Sequence, residues 1–152
     1  MAALKNLAVP VLTIGALALG AGPAGADVPE PFTITETIDF EAEEFSFIAT
    51  GSLCPSGTFE DEVKTFAADK GNSGRLVLLI RTEYICDDGS GSFDALKHVI
   101  ITFTGEDSST SSGPISLKGG TGDYVGLAGH GVDVGQAEGG LGLGEISGVL
   151  VR

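Results

Sequence analysis

Arg75-Leu-Val-Leu-Leu-Ile-Arg-Thr-Glu-Tyr-Ile-Cys86, Asp87-Asp-Gly-Ser-Gly-Ser92 and Phe93-Asp-Ala-Leu-Lys-His-Val-Ile-Ile-Thr-Phe-Thr104 form the stretch whose reading decides the fold. Two runs rich in Val, Ile, Leu and Thr flank a cluster of Asp, Gly and Ser, which is the pattern of two strands and a turn. The centres of both runs, Val77 to Ile80 and Val99 to Ile101, are apolar on both sides, as expected of strands covered on both faces. With the turn centred between Gly89 and Ser90, Leu78 faces Ile101, Ile80 faces Val99 and Leu76 faces Phe103. All of these fall on one side of the hairpin, because cross-strand partners share a face.

The same reading extends outward. Phe32 to Phe40 alternates strictly, with Phe32, Ile34, Ile38 and Phe40 on one side and Thr33, Thr35, Thr37 and Asp39 on the other. Shorter strands are expected over residues 44–51, 57–67, 114–118, 128–135 and 143–151. Gly105 to Gly113 reads as a polar loop, and Asp69-Lys-Gly-Asn72 as a turn. No amphipathic helix is expected. Eight sequential strands joined by short turns form a meander, so the expected fold is all-β, a single eight-stranded antiparallel barrel. A β-sandwich is the competing topology.

Residues 1–26 stand apart. Lys5, the apolar run Leu7 to Leu19 and Ala24-Gly-Ala26 are the three parts of an export signal. The expected organisation is a signal peptide over 1–26 and one secreted domain over 27–152. The full chain has 152 residues and a net charge of −13, and loss of Lys5 makes the exported part more negative still. This acidity excludes nucleic acid as a partner, since phosphates need clustered Lys and Arg. No membrane span is expected in residues 27–152.

Cys54 and Cys86 are centred on residue 70, inside the expected 69–72 turn. A hairpin symmetric about that point places them opposite each other, and in an exported protein this reads as a disulfide. Free thiols or an intermolecular bond are the alternatives. The only histidines, His98 and His130, lie at no metal-ligand spacing, so neither a metal site nor any other cofactor is expected. The symmetric register carries a conflict: it puts Glu60 and Glu62 on the face of Leu78 and Ile80. A bulge or a one-residue shift brings Phe59 and Val63 there instead.

Fourteen of the 24 glycines lie in residues 105–152. Gly120-x-Gly122-x-x-x-Gly126, Gly129-x-Gly131-x-x-x-Gly135 and Gly142-x-Gly144-x-x-x-Gly148 repeat one even spacing, so within a strand such glycines share a face. The strip either lets a backbone or ligand come close or lets a coiled strand turn a barrel corner. None of the three is a dinucleotide or phosphate-loop pattern.

Within this region, Lys118-Gly-Gly-Thr-Gly-Asp-Tyr-Val-Gly-Leu-Ala-Gly-His-Gly131 resembles the GG-[TS]-G-x-[FY]-x-G-x-x-G signature of the allene oxide cyclase and dirigent barrel superfamily. Gly119, Gly120, Thr121, Gly122, Tyr124, Gly126 and Gly129 are the matching positions. The resemblance implies an eight-stranded antiparallel barrel, frequently trimeric, with an apolar lumen. It also implies a turn that tucks its aromatic residue against the barrel. It transfers no catalytic residue.

Candidate chemistry reduces to two polar groups on apolar faces. Glu36 shares a side with Phe32, Ile34, Ile38 and Phe40, where a carboxylate can bind or protonate a ligand, or else marks a barrel mouth or pairs with a basic group. Lys97 shares a side with Val99, Ile101 and Phe103, opposite Thr82, and either pairs with a lumen carboxylate or reaches solvent along its stem. His98 and His130 read as interfacial or satisfied core residues. Glu41, Glu43 and Glu44, and Glu60-Asp61-Glu62, read as solvated faces. No G-x-S-x-G elbow is present, so a hydrolase triad has no support. The functional expectation is a secreted, non-catalytic binding or interaction barrel that takes a small hydrophobic ligand. A cofactor-independent cyclase or isomerase and an acidic structural surface protein are the alternatives. An open lumen with Glu36 or Lys97 pointing in favours the enzyme; a lumen filled by Leu, Ile and Phe favours the interaction barrel without a ligand, or the structural protein.

Overall fold

A computed structural model describes residues 28–68 and 74–151 of the chain. The export segment at 1–26 and the 69–72 turn lie outside the described residues. Eight strands follow in order: β1 (Glu30–Asp39), β2 (Glu44–Ala49), β3 (Ser56–Ala68), β4 (Arg75–Cys86), β5 (Ser92–Phe103), β6 (Ser108–Gly120), β7 (Ala128–Glu138) and β8 (Leu141–Val151). One short 3₁₀ turn, Gly122–Tyr124, separates β6 from β7. Each strand pairs antiparallel with the next, and β8 returns to β1, so the sheet closes into a barrel. Closure leaves no sheet edge unpaired, which decides against the sandwich.

The 75–104 hairpin forms, with its register two residues from the expected one. Leu76 faces Ile101, Leu78 faces Val99 and Ile80 faces Lys97, so Lys97 does not sit opposite Thr82, whose partner is Ala95. The turn closes one residue early, on Gly89, whose φ of 75° completes the bend begun at Cys86. A slip of two conserves the face of every side chain, so the division into inside and outside survives. Coverage of both faces does not: Val77, Ile100, Val132 and Val134 point outward and are exposed. His98 and His130 are likewise exposed on the outer face, not in the core.

The 105–113 loop is largely strand, since β6 begins at Ser108. Its Ser and Thr residues hide the strand because both of its sides are polar. Here the inward side reaches the open end of the barrel, where Ser109 and Ser111 meet space rather than core.

The β3 register resolves through a bulge. Phe59 pairs with Tyr84, Asp61 with Thr82 and Val63 with Ile80, and then the register shifts between Val63 and Thr65. Phe59 is therefore inside, and Glu60 and Glu62 are outside. Asp61, expected on a solvated outer face, turns instead toward the open end of the barrel, where it stays exposed.

The interior is packed at one end only. Phe32, Ile34, Phe47, Phe59, Tyr84, Phe93, Ile115, Leu117, Ile146 and Leu150 are buried there. Phe47 meets Tyr84 edge-on at 5.1 Å and Phe93 stacks on Tyr84 at 4.8 Å. The segment after β6 seals this end. Gly122 and Gly126 take positive φ, Tyr124 turns inward, and its ring lies 5.2 Å from Phe93. Thr121 fixes the turn through Ser92, whose backbone N–H donates to the Thr121 hydroxyl at 3.0 Å.

Cys54 and Cys86 are bridged at the sealed end, with Cα atoms 5.9 Å apart. Gly57, not Cys54, pairs with Cys86 in the ladder, so the bridge ties the β2–β3 connection to the end of β4. The sequence separation is 32, for which chain entropy gives about 3–4 kcal/mol. The double variant C54S/C86S is expected to unfold at correspondingly lower urea concentration. An unchanged midpoint would refute a stabilising role.

Candidate functional site

The packed end gives way abruptly to a polar layer. Alternation within β1 carries the chain from Phe32 and Ile34 to Glu36, and within β4 from Tyr84 to Thr82. Lys97 enters at the same level from β5 and Asp133 from β7. Glu36, Thr82, Lys97 and Asp133 are all buried. One oxygen of Glu36, Oε1, accepts from both the Lys97 ammonium and the Tyr84 hydroxyl. The Lys97 ammonium also lies 5.5 Å from the Phe59 ring centre and 5.6 Å from that of Tyr84. A desolvated cation gains from such aromatic faces. The Thr82 hydroxyl donates to Asp61 Oδ1 at 2.5 Å.

Above this layer the side chains leave a cavity of about 250 Å³, which opens to solvent at the far end and is walled by Ile38, Phe45, Leu78, Ile80, Val99 and Ile101. Its floor is Glu36, Lys97, Asp61 and Asp133. The wall formed by β7 and β8 is nearly bare: Gly135 faces Gly144, and Ala137 faces Gly142. The even glycine spacings of residues 129–135 and 142–148 thus lie on one inner face. The 120–126 repeat does not, because its second and third glycines belong to the turn.

Burial sets the charge states of this layer. Desolvation raises the Tyr84 phenol well above its ordinary value, and the Glu36 charge adds to the effect, so the phenol stays a donor. Desolvation also raises the carboxyl of Asp61, opposed by Lys97. Asp133 is pushed up to about 6 by desolvation, with Lys97 opposing and the charges of Glu36 and Asp61 adding. Among the described residues no donor reaches the Asp133 carboxyl group. It can therefore exchange a proton close to neutrality, facing the cavity.

Glu36 and Lys97, singled out in the sequence as polar groups on apolar faces, meet as an ion pair in the lumen. Tyr84, Thr82, Asp61 and Asp133 were missed. The glycines carried the signal for Asp133: Gly129, Gly131 and Gly135 have its parity, which makes it the carboxylate of the glycine face.

Asp133 has a cost. An acid raised from its unfolded value destabilises the fold above that higher value, and the penalty vanishes once pH falls below the unfolded one. Moving a carboxyl from 3.8 to about 6 corresponds to roughly 2–3 kcal/mol at neutral pH. Asp133→Asn is expected to raise the melting temperature by roughly 5–10 °C at neutral pH. The gain should shrink as pH falls through the window between those two values. Thermal melts across that range check it, and a gain independent of pH would refute the account.

Fold and site together define a small antiparallel barrel, sealed at one end and hollow at the other, with an ionised floor. No family model, curated protein or solved structure matches the chain.

Proposed function

We propose that the chain is an exported binding barrel whose hollow half takes up a small hydrophobic ligand. The observation that carries this reading is the cavity of about 250 Å³, with apolar walls over a polar floor. A barrel needing only stability would fill that end as it fills the other, because an eight-stranded interior can be closed by side chains alone. Few convergent polar groups beneath an apolar wall are the usual make-up of a small-molecule site. The Cys54–Cys86 bridge supports an oxidising destination, in line with the export signal read at 1–26. The likeness of residues 118–131 to the allene oxide cyclase and dirigent signature supports a ligand-holding barrel, and self-association through the outward Val77, Ile100, Val132 and Val134 belongs to the same reading.

Titration with cyclohexanol, followed by methyl NMR, tests it. The expected shifts are at Ile38, Leu78, Ile80 and Val99 and spare Ile115 and Leu117 at the sealed end. Absence of any shift would overturn the reading. A specific observation favours a second reading, an isomerase-like enzyme: the Asp133 acid and the Glu36–Lys97 pair share the floor of an open cavity. That reading expects a compound retained from the secretion medium to be recovered in rearranged form from the protein but not from its D133N variant.

A further inference from the structure

The floor of the cup has one feature that neither packing nor the ion pair uses. Glu36 spends one oxygen, Oε1, on both of its partners, and among the described residues Oε2 accepts from no donor. Asp133 is only 5% exposed, yet its carboxyl group is unpartnered and lines the cavity. Both meet at one place. A side chain on Gly144 would put its Cβ 2.9 Å from Glu36 Oε2 and 3.7 Å from Asp133 Oδ1. Because residue 144 is glycine, no side chain stands between the two carboxylates on that wall.

The charge of the layer selects what fills it. Glu36, Asp61 and Asp133 are three acids against a single ammonium, Lys97, which is already bound to Glu36 and held over two rings. An anionic head group would add to an excess of negative charge. A neutral one can donate a hydrogen bond to Asp133 but leaves its buried negative charge uncompensated. Among the described residues no group of three or more His, Cys, Asp or Glu is arranged to hold a metal. An ammonium supplies three donors and one positive charge, and its alkyl body matches the walls above.

We propose that the cup binds a small amphipathic amine, its ammonium seated beside Gly144 between Glu36 Oε2 and the Asp133 carboxylate. The inference rests on the binding reading above and names its ligand class. The cavity of about 250 Å³ equals roughly eight water volumes, which limits the ligand to a compact amine with a short or cyclic hydrocarbon body. The groups facing Asp133 are Glu36 from β1, Asp61 from β3, Tyr84 from β4 and Lys97 from β5. β2, β6 and β8 present Phe45, Ser109 and Ser111, and Gly142 and Gly144, none of which titrates. Asp133 is thus the group that changes charge near neutrality, and amine affinity follows its ionisation.

Calorimetric titration of the wild-type chain and its D133N variant with cyclohexylamine, cyclohexanol and cyclohexanecarboxylate tests the proposal. The amine keeps its charge between about pH 5 and about pH 8, so any pH dependence reports on the protein. The wild type is expected to bind the amine at least about tenfold more tightly than the alcohol near pH 7.5, with the carboxylate weakest. That preference should fall with pH through the Asp133 transition and be largely lost in D133N, while alcohol binding persists. G144A, whose Cβ would crowd Glu36 Oε2 at 2.9 Å and displace the carboxylate, should lose the same preference. Equal binding of amine and alcohol, or a preference unchanged in D133N, overturns the amine assignment and leaves the cup intact. Failure of all three compounds to bind overturns the cup as well.

Discussion

Replacing Lys97 with methionine is expected to destabilise the barrel by about 3–5 kcal/mol, although the two side chains are similar in length and the new one is apolar. The loss comes from what remains. Glu36 is buried and, among the described residues, takes its only charge compensation from Lys97, while Asp61 and Asp133 lie across the same layer. Removing one member of a buried ion pair strands the other in a medium that cannot solvate it. If stranded charge is the cause, removing the charge repairs it. The double variant E36Q/K97M should therefore lose far less than K97M alone, since glutamine keeps an oxygen for the Tyr84 hydroxyl to reach. Urea unfolding of wild type, both single variants and the double variant gives the coupling energy directly. Additive losses would mean that Lys97 acts only through its packed stem.

That pair also shows what the sequence makes legible. Glu36 and Lys97 stand out because each interrupts an apolar alternation, and alternation survives any error of register that is even. The hairpin of β4 and β5 illustrates this: its turn closes on Gly89 one residue early, every partner changes by two, and no side chain changes side. Asp61 was lost for the opposite reason. A symmetric register between the cysteines inverts β3, and only the bulge between Val63 and Thr65 restores Phe59 and Asp61 to the inside. Where the bulge falls depends on packing with β4, which local pattern does not encode. Asp133 was hidden by its neighbours, because Val132 and Val134 look like the core face and lie outside. The face that matters there is made of glycine, so it has no hydrophobic signal.

The hollow end and the sealed end differ in what they ask of the chain. The sealed end gains from burial of rings and aliphatic groups, at roughly 1.5–3 kcal/mol for each large side chain. The floor above it gains little: its ions cancel part of their own desolvation, and Asp133 is held in a state that opposes folding at neutral pH. Such groups persist in structures mainly where they act on something. The cup is therefore where stability and use diverge, and Asp133→Asn separates them by raising one and lowering the other.

Gly148→Ala is expected to cost more than about 3 kcal/mol and to abolish recovery of folded protein, though it adds one methyl group. Gly148 faces Gly131 across β7 and β8. A Cβ on Gly148 would stand 2.2 Å from the His130 carbonyl oxygen and 2.8 Å from the Gly131 Cα. A Cβ on Gly131 would stand 2.3 Å from the Ser147 carbonyl oxygen. These obstacles are backbone, so no rotamer change relieves them, and the two strands must separate at this point of the β7–β8 ladder. Gly119→Ala is the control: its Cβ would meet nothing nearer than the Gly126 backbone nitrogen at 3.8 Å, an ordinary contact. Circular dichroism and urea unfolding of the two variants should show near-native behaviour for G119A and loss of the cooperative transition for G148A. If both behave alike, close approach of strands is not what the paired glycines serve. If they differ as expected, the glycines facing each other across β7 and β8 are what lets these two strands pair so closely. Those nearer the mouth, Gly135 and Gly144, are then left as the open wall of the cup.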